Sequence, residues 1–262
     1  MKNAATNDYS DFAQQFPADI DCHIFDEIPS TNDYLATIPF SPRVQICITD
    51  RQTSGKGQHH RQWLSDNSSS VLLSIRRVFA DGVDLSGLSL TIGLALIEVL
   101  EKLGIKGLQL KWPNDVYYQD KKLAGILIEN SIQNQAQSAI IGIGINVKAQ
   151  INCQTPWTDL YAISKNPVNK SALSKDLINT VLQFCQIFEQ QGFANFAQQW
   201  KNVDYLAGKQ LEYDDKKRKF SGICLGVDDK GALLLEDKGI TQKIYSSNFL
   251  QICPLLIGRQ KC

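Results

Sequence analysis

Residues 110–129, LKWPNDVYYQDKKLAGILIE, form the stretch around which the rest of the chain is organised. Proline, asparagine and aspartate at residues 113–115 predict a turn. Two apolar runs follow, residues 116–118 and 123–128, and a short polar tip separates them. Two apolar strands joined by a polar tip are typical of a β-hairpin, so we predict one here.

Each apolar run of this stretch begins near a lysine, Lys111 before the turn and Lys122 after the tip. A lysine beside a buried strand is costly unless an anion meets it. Lysine is a compact charge that suits phosphate and carboxylate oxygens. Asp115 can pair with one of these lysines or help to hold Mg²⁺. From spacing alone, a solvated tip at Lys121 and Lys122 stays an open alternative.

A second polar stretch, DRQTSGKGQHHRQW at residues 50–63, predicts a long functional loop. Gly55 and Gly57 allow backbone amides to converge on an anion. Four basic or potentially basic side chains surround them: Lys56, His59, His60 and Arg61. The Walker A spacing is absent, and a flexible basic surface loop is equally compatible with the pattern. The adjacent histidines lack a third ligand at a familiar spacing, so no metal site is predicted there.

Composition limits the class of protein. The chain has 262 residues, 43% of them hydrophobic, which suits one large domain or one with a small appendage. A formal net charge of zero argues against a coat for nucleic acid or an anionic membrane. Seven cysteines without a CxxC pair indicate reduced thiols. No signal peptide or membrane span is visible, so we expect a cytoplasmic protein with neither nucleic acid nor membrane as partner.

Apolar periodicity predicts an α+β fold. Strands are expected at residues 22–28, 44–49, 70–76 and 139–147, and helices at residues 85–103, 171–189 and 193–200. Residues 1–20 are expected to form a short helix or a frayed end, and residues 148–168 an irregular loop. Beyond residue 205, five short β-patterned runs predict a small SH3-like β-barrel. The predicted domains are a mixed β-sheet with flanking helices at 1–205 and the barrel at 206–262.

Taken together, these segments resemble the biotin protein ligase family, in its form without an N-terminal DNA-binding domain. The hairpin stretch is similar to that family's KWPNDL…KLAGIL signature, and the resemblance covers residues 22–253. The other matching segments are the STN element at residues 30–32, the Q-[TS]-x-G-[RK]-G-R-x-x-R-x-W loop at residues 50–63, the GxGIN strand at residues 142–146 and the C-terminal barrel at residues 206–252.

The resemblance implies a two-step reaction that consumes ATP with Mg²⁺. The carboxylate of biotin attacks the α-phosphorus of ATP, which gives biotinyl-5′-AMP and pyrophosphate. A lysine of a biotin carboxyl carrier protein domain, of the acetyl-CoA carboxylase type, then attacks the anhydride. Cations are needed because two anions must meet in the first step. A closing loop is needed because water would hydrolyse the anhydride.

The resemblance also implies roles for individual residues. The catalytic residues would be Lys122, bridging the biotin carboxylate and the α-phosphate, with Lys111 and Asp115 serving the phosphates and Mg²⁺. The biotin-binding residues would be Ser30, Thr31, Asn32, Gln52, Lys56, Gly57, Gln58 and Lys122. The nucleotide-binding residues would be Gly55, Arg61, Trp63, Asn114 and Asn146.

The loop departs from the family's usual G-R-G-R-R-G-R, because it reads Gly-Lys-Gly-Gln-His-His-Arg at residues 55–61. Lys56 keeps the charge of the usual arginine but loses its bidentate fork. Gln58 removes a guanidinium altogether, and His60 replaces a glycine. Our hypothesis is that the protein holds its adenylate more loosely than relatives with the full arginine set.

Other interpretations stay open. A lipoyl or octanoyl ligase or transferase of the same superfamily is one, although the KWPND element belongs to the biotin branch. A biotin sensor that has lost turnover is another, and the altered loop motivates it. A DNA-binding repressor is disfavoured, because only about 20 residues precede the first core strand. The resemblance further implies that an edge of the central sheet is a surface for a homodimer or for the carrier.

Overall fold

The computed structural model describes residues 9, 11–58, 61–65, 69–133, 136–150 and 155–253. These residues form two β-sheets and five α-helices. The predicted α+β class is therefore confirmed. None of the described helices is long and apolar enough to cross a membrane.

The larger sheet has seven strands in the order β1-β2-β3-β7-β6-β5-β4. The strands are β1 (Ile20–Ile28), β2 (Val44–Gln52), β3 (Ser70–Phe79), β4 (Leu108–Lys111), β5 (Asp115–Tyr118), β6 (Lys121–Gln133) and β7 (Ala136–Asn146). Only β1 and β2 are parallel, so the sheet is mixed, as the sequence predicts.

The predicted hairpin is formed by β5 and β6, but its tip is shorter than expected. Gln119 and Asp120 have φ angles of 46° and 62°, as in the two-residue turns that match the twist of paired strands. Lys121 therefore belongs to β6 and pairs with Tyr118.

The helices are α1 (Thr31–Thr37), α2 (Leu88–Lys102), α3 (Leu160–Ser164), α4 (Lys170–Gln191) and α5 (Ala197–Val203). Helix α2 begins three residues later than predicted, because Gly87 at its N-cap has a left-handed φ of 81°. Helix α3 lies inside the predicted irregular loop, where the side chain of Asp159 caps its first turn. Helices α2 and α4 bury their apolar residues in the main core together with Ile141, Ile143 and Ile145 of β7.

The N-terminal segment is not a frayed end from residue 9 onward. Tyr9 and Phe12 are fully buried, and their rings meet edge to face with 5.3 Å between centroids. A short 3₁₀ turn, Phe12–Gln15, carries this contact. The segment therefore belongs to the packed core.

The smaller sheet contains β8 (Gln210–Asp214), β9 (Lys219–Val227), β10 (Leu233–Asp237), β11 (Ile240–Ile244) and β12 (Leu250–Ile252). All of its pairings are antiparallel, in the order β11-β10-β9-β8-β12. The expected barrel is open within the described residues, since β11 and β12 end the row without pairing to each other. The domain boundary at residue 205 stays a prediction.

The two sheets are connected through the turn between β9 and β10. Trp112 donates from its indole nitrogen to the carbonyl oxygen of Gly231 at 2.9 Å. In the same turn, Lys230 forms an ion pair of 3.0 Å with Asp84, just before α2. The KWPND turn thus has a direct hydrogen bond to the smaller sheet.

Candidate active site

One cavity of about 430 Å³ is lined by residues from both sheets. That volume lies within the range of small-molecule sites. Every predicted site residue except Gly55 lines it: Ser30, Thr31, Asn32, Gln52, Lys56, Gly57, Gln58, Arg61, Trp63, Lys111, Asn114, Asp115, Lys122 and Asn146. The smaller sheet contributes Leu211, Leu250, Gln251 and Ile252. The individual roles of these residues stay predictions.

The GIGIN strand supplies the floor of the cavity. Because side chains alternate along a strand, Gly142, Gly144 and Asn146 share one face of β7, and the intervening isoleucines enter the core. A Cβ atom at Gly142 would lie 2.3 Å from Asn32 Oδ1, and one at Gly144 would lie 2.5 Å from Trp63 Cε2. Glycine is therefore required at both positions for Asn32 of α1 and Trp63 of the basic loop (residues 50–63) to lie directly on the sheet.

The first residues of α1 form a hydrogen-bonded polar cluster. Ser30 is the N-cap, and its Oγ accepts from the backbone amide of Asp33. The backbone N and the hydroxyl of Thr31 both donate to Gln52 Oε1, at 2.8 and 3.1 Å. These two bonds fix the orientation of the Gln52 amide, which leaves its nitrogen as a donor for a ligand.

Asn32 is held by two residues that the sequence interpretation missed. Its Nδ2 donates to Glu129 Oε2 at 2.7 Å, and its Oδ1 accepts from Ser74 Oγ at 2.6 Å. The Ser74 hydroxyl is fully buried and also lies 2.7 Å from Thr31 Oγ1. A serine inside the apolar run SVLLSIR was a usable signal, since a buried hydroxyl requires a partner.

Residues 55–57 and 61–63 of the basic loop pair with each other. The amide of Gly57 donates to the carbonyl of Arg61 at 2.7 Å, and the amide of Trp63 donates to the carbonyl of Gly55 at 2.9 Å. Lys56 lies between these bonds and pairs with Asp33 of α1, whose hydrogen bond raises the Lys56 pKa. A Cβ atom at Gly55 would lie 2.7 Å from the carbonyl oxygen of Trp63, and Gly55 does not line the cavity. His59 and His60 lie outside the described residues.

The indole of Trp63 covers Gly125 and Gly144, which together with Gly142 form the glycine floor of the cavity. Gly125 of β6 pairs directly with Gly144, and a Cβ atom at Gly125 would lie 2.9 Å from Trp63 Cζ3. Lys122 Nζ lies 5.5 Å from the centre of the indole ring. Trp63 thus forms an aromatic wall beside the lysine for which the resemblance implies the central role.

Lys122 is fixed through both its backbone and its side chain. Its Nζ forms a 2.6 Å ion pair with Asp115 Oδ1. Its amide donates to the carbonyl of Pro156 at 3.0 Å, and its carbonyl accepts from the amide of Thr158 at 2.9 Å. Lys121 is exposed and does not line the cavity, so the solvated-tip interpretation describes that residue alone.

Lys111 is the second cation of the cavity. Its Nζ donates to the hydroxyl of Tyr117 at 3.3 Å and lies 5.0 Å from the centre of that ring. Burial lowers the pKa of Lys111, nearby Asp115 opposes that shift, and the charges of Lys122 and Arg61 add to it. A bound polyanion would relieve the repulsion among these cations.

The two asparagines differ in what they offer a ligand. The side-chain Nδ2 of Asn114 donates to the backbone carbonyl oxygen of Ile126 at 2.7 Å. The backbone amide of Ile126 donates to the backbone carbonyl oxygen of Asn114 at 2.9 Å. Asn114 therefore ties the KWPND turn to β6. Asn146 donates to the carbonyl of Thr158, but its buried Oδ1 has no hydrogen-bond partner among the described residues. That acceptor is open to a ligand donor.

The donor set fits Mg²⁺ only in company with phosphate. Asp115 is the one acidic side chain among the described lining residues, and Lys122 already neutralises it. Across the described ranges, no group of three or more histidine, cysteine or acidic residues is arranged so that it could hold a metal ion. Mg²⁺ accepts one or two carboxylates when phosphate oxygens and water complete its shell, so these residues fit an ion that arrives with a nucleotide.

The sequence interpretation also missed part of the cavity wall. Thr155 and Trp157 line the cavity from the segment that was predicted to be an irregular loop. Trp157 forms an isolated β-bridge with Lys122, which places this segment along the edge of β6. An isolated tryptophan in a polar loop was the available signal, since such a residue requires a packing partner.

Comparisons with known proteins show the family to which the chain belongs. Residues 24–146 match the model of the biotin/lipoate A/B protein ligase family. The bifunctional ligase/repressor BirA of Escherichia coli is 35% identical over 81% of this chain and 68% of its own length. The biotin–[acetyl-CoA-carboxylase] ligase of Mycobacterium tuberculosis is 27% identical over 79% of each chain.

A solved structure supports the same family. The biotin protein ligase from Aquifex aeolicus, in complex with biotin and ATP, superposes with a TM-score of 0.77. It is 26% identical, and the match covers 89% of this chain and 99% of the other. The chain therefore belongs to the biotin protein ligases, enzymes of the biotin/lipoate A/B protein ligase family.

Proposed function

We propose that the protein activates biotin with ATP as biotinyl-5′-AMP and transfers it to a lysine of a biotin carboxyl carrier domain. The observation that carries this proposal is that one cavity contains both the polar cluster of α1 and the lysine pair Lys111 and Lys122. The cluster suits a neutral ligand with amide-like donors and acceptors, and the lysines suit two anions that must meet.

The polar cluster would bind the ureido end of biotin. Gln52 keeps its amide nitrogen for a carbonyl oxygen, because Thr31 occupies its oxygen. Asn32 keeps one N–H, because Glu129 takes only the other. The Trp63 indole, which lies on the glycines of β6 and β7, would provide an apolar wall for the bound ligand.

Lys122 would bridge the carboxylate of biotin and the α-phosphate of ATP. Its ion pair with Asp115 holds the ammonium in place before the substrates arrive. When bound, Mg²⁺ would neutralise charge on the phosphates, and Asp115 would hold it. Lys111 and Arg61 would receive the remaining phosphate charge. Trp157 offers a flat surface to the nucleotide base.

The carrier would approach along a free sheet edge. Beyond Ile126, the side of β6 opposite β7 has no paired strand among the described residues, and Ile132 on it is 77% exposed. Such an edge can accept a strand of another chain. The name of the mycobacterial relative supports a carrier of the acetyl-CoA carboxylase type, and a homodimer is the competing use of this edge.

Five described cysteines are free thiols, which supports a reducing, cytoplasmic setting.

One assay tests the proposal against its alternatives. The protein is mixed with biotin, MgATP and a carrier domain, and the carrier is then weighed by mass spectrometry. A biotinyl mass shift is expected. Biotin binding without a shift would favour the sensor, and a shift only with lipoate or octanoate would favour the lipoyl or octanoyl enzyme.

A further inference from the structure

Tyr117 lies in the wall of the cavity beside the lysine pair. Asp115 and Tyr117 occupy alternate positions of β5 and both line the cavity, whereas Tyr118 lies on the opposite face of the strand and does not line it. The Tyr117 hydroxyl accepts from Lys111 Nζ at 3.3 Å. Its own proton has no acceptor within the part of the chain that the structure describes.

The ring of Tyr117 is buried and packs against the ring of Tyr205. It is 6% exposed and lies 5.0 Å from the ring of Tyr205, with an interplanar angle of 34°. Tyr205 is itself fixed, because its hydroxyl donates to Asp120 Oδ1 at 2.8 Å. The hydroxyl of Tyr117 is therefore held at a set position in the cavity wall.

We propose that Tyr117 is a further nucleotide-binding residue, whose hydroxyl accepts from Lys111 and donates its own proton to an oxygen of the β- or γ-phosphate of ATP. This inference rests on the proposed function, because it requires that ATP occupies the cavity. A hydroxyl that accepts from an ammonium group is polarised and becomes a better donor. Burial raises the pKa of Tyr117, so the proton to be donated is retained at neutral pH.

The test variant is Tyr117→Phe, which keeps the ring against Tyr205 and beneath Lys111 and removes only the hydroxyl. The matched control is Tyr118→Phe, one residue along β5 on the opposite face. Binding of MgATP and of adenosine is measured by calorimetry, with and without biotin. The rate of pyrophosphate release and the transfer from supplied biotinyl-5′-AMP to the carrier are measured separately.

We expect Tyr117→Phe to weaken MgATP binding and to lower kcat/KM for ATP by about tenfold. Adenosine binding, biotin binding and the transfer step should stay within about twofold of wild type, because none of them uses the phosphate chain beyond the adenylate. Tyr118→Phe should behave as wild type throughout.

Three results would overturn the inference. One is unchanged MgATP affinity in Tyr117→Phe, and another is an equal loss for adenosine or for the transfer step, which would indicate a structural role. The third is an equal loss in Tyr118→Phe. The calorimetric measurement of MgATP binding does not depend on turnover. MgATP binding without modification of the carrier would therefore contradict only the proposed function. Absence of MgATP binding in the wild-type protein would contradict both.

Discussion

Asn32 and Glu129 meet across the ligand face of the main sheet, with Asn32 Nδ2 2.7 Å from Glu129 Oε2. This contact fixes the orientation of the Asn32 side-chain amide, with Nδ2 towards Glu129 and Oδ1 towards Ser74. Since Glu129 takes one N–H and Ser74 donates to the oxygen, the second N–H is left for a ligand. Glu129 therefore sets the direction of the second Asn32 N–H, which we propose for ligand recognition.

Removing that acceptor should weaken biotin binding. In Glu129→Ala the Asn32 amide loses a hydrogen bond to a charged group and gains freedom to rotate, so we expect the Kd for biotin to rise by about tenfold. Glu129→Gln keeps an acceptor oxygen and is the matched control, with an expected change of about threefold or less. Titration calorimetry with biotin alone measures both, and equal affinity in Glu129→Ala would contradict the assignment.

Lys122→Ala should abolish adenylate formation and leave the fold intact. The variant removes the cation that we propose to lie between the biotin carboxylate and the α-phosphate, and we expect pyrophosphate release to slow by at least about a hundredfold. Lys121→Ala is the control, because Lys121 is exposed and outside the cavity. Circular dichroism and thermal unfolding check the fold. Near-normal turnover in Lys122→Ala would refute its role.

Gly144→Ala should displace Trp63. The new methyl would lie 2.5 Å from Trp63 Cε2, closer than any real contact, so the indole must leave the glycine floor. We expect adenylate formation to fall by about tenfold or more, with a change in Trp63 fluorescence. A double-mutant cycle provides the control, since Gly144→Ala should have little further effect in a Trp63→Ala background. Additive losses would count against the packing explanation.

ATP binding should weaken as pH rises. The pKa of Lys111 lies below its ordinary value of 10.5, mainly because the side chain is buried and also because Lys122 and Arg61 repel it. Lys111 thus loses its positive charge earlier than a solvated lysine, and kcat/KM for ATP should fall on the alkaline side below pH 10.5. Lys111→Arg should move that fall to higher pH, because a guanidinium stays charged. An unchanged profile in Lys111→Arg would assign the fall to another group.

Gln58→Arg should slow the release of the adenylate. Gln58 lines the cavity where the family pattern has a guanidinium, and an arginine there can form a bidentate bond to an anion. We expect the dissociation rate of biotinyl-5′-AMP to fall by about tenfold in a stopped-flow chase experiment. Gln109→Arg, at an exposed position outside the cavity lining, controls for added charge. Equal rates in wild type and Gln58→Arg would exclude the loose-retention hypothesis.

Local pattern predicts much of the fold, and its misses share a cause. The β5–β6 hairpin follows from two apolar runs joined by a polar tip, which are properties of neighbouring positions, although the tip is shorter than predicted. Ser74 and Glu129 were missed because their partner, Asn32, is distant in sequence, and no local period encodes which elements meet. Trp157 was missed because its segment becomes regular only by pairing with the edge of β6.

The motifs were more informative about the site than the periodicity was. The glycines of GIGIN predict close backbone approach, and the structure shows that Asn32 and Trp63 are what approaches. On physical grounds alone, the basic loop was equally compatible with an anion-binding loop and with a flexible surface loop. The pairing within it depends on backbone bonds between Gly55 and Trp63 and between Gly57 and Arg61, which side-chain identities do not reveal.

The hydrogen bond from Trp112 to Gly231 has a consequence for protein engineering. A hybrid ligase made by exchanging C-terminal segments between relatives would replace the segment that carries the acceptor, Gly231, and keep the donor, Trp112. Such a chimera would retain the geometry of its own lysine pair only if the incoming segment offered a carbonyl at the same place. The turn at residues 228–231 is therefore better exchanged together with the KWPND turn than with the strands on either side of it.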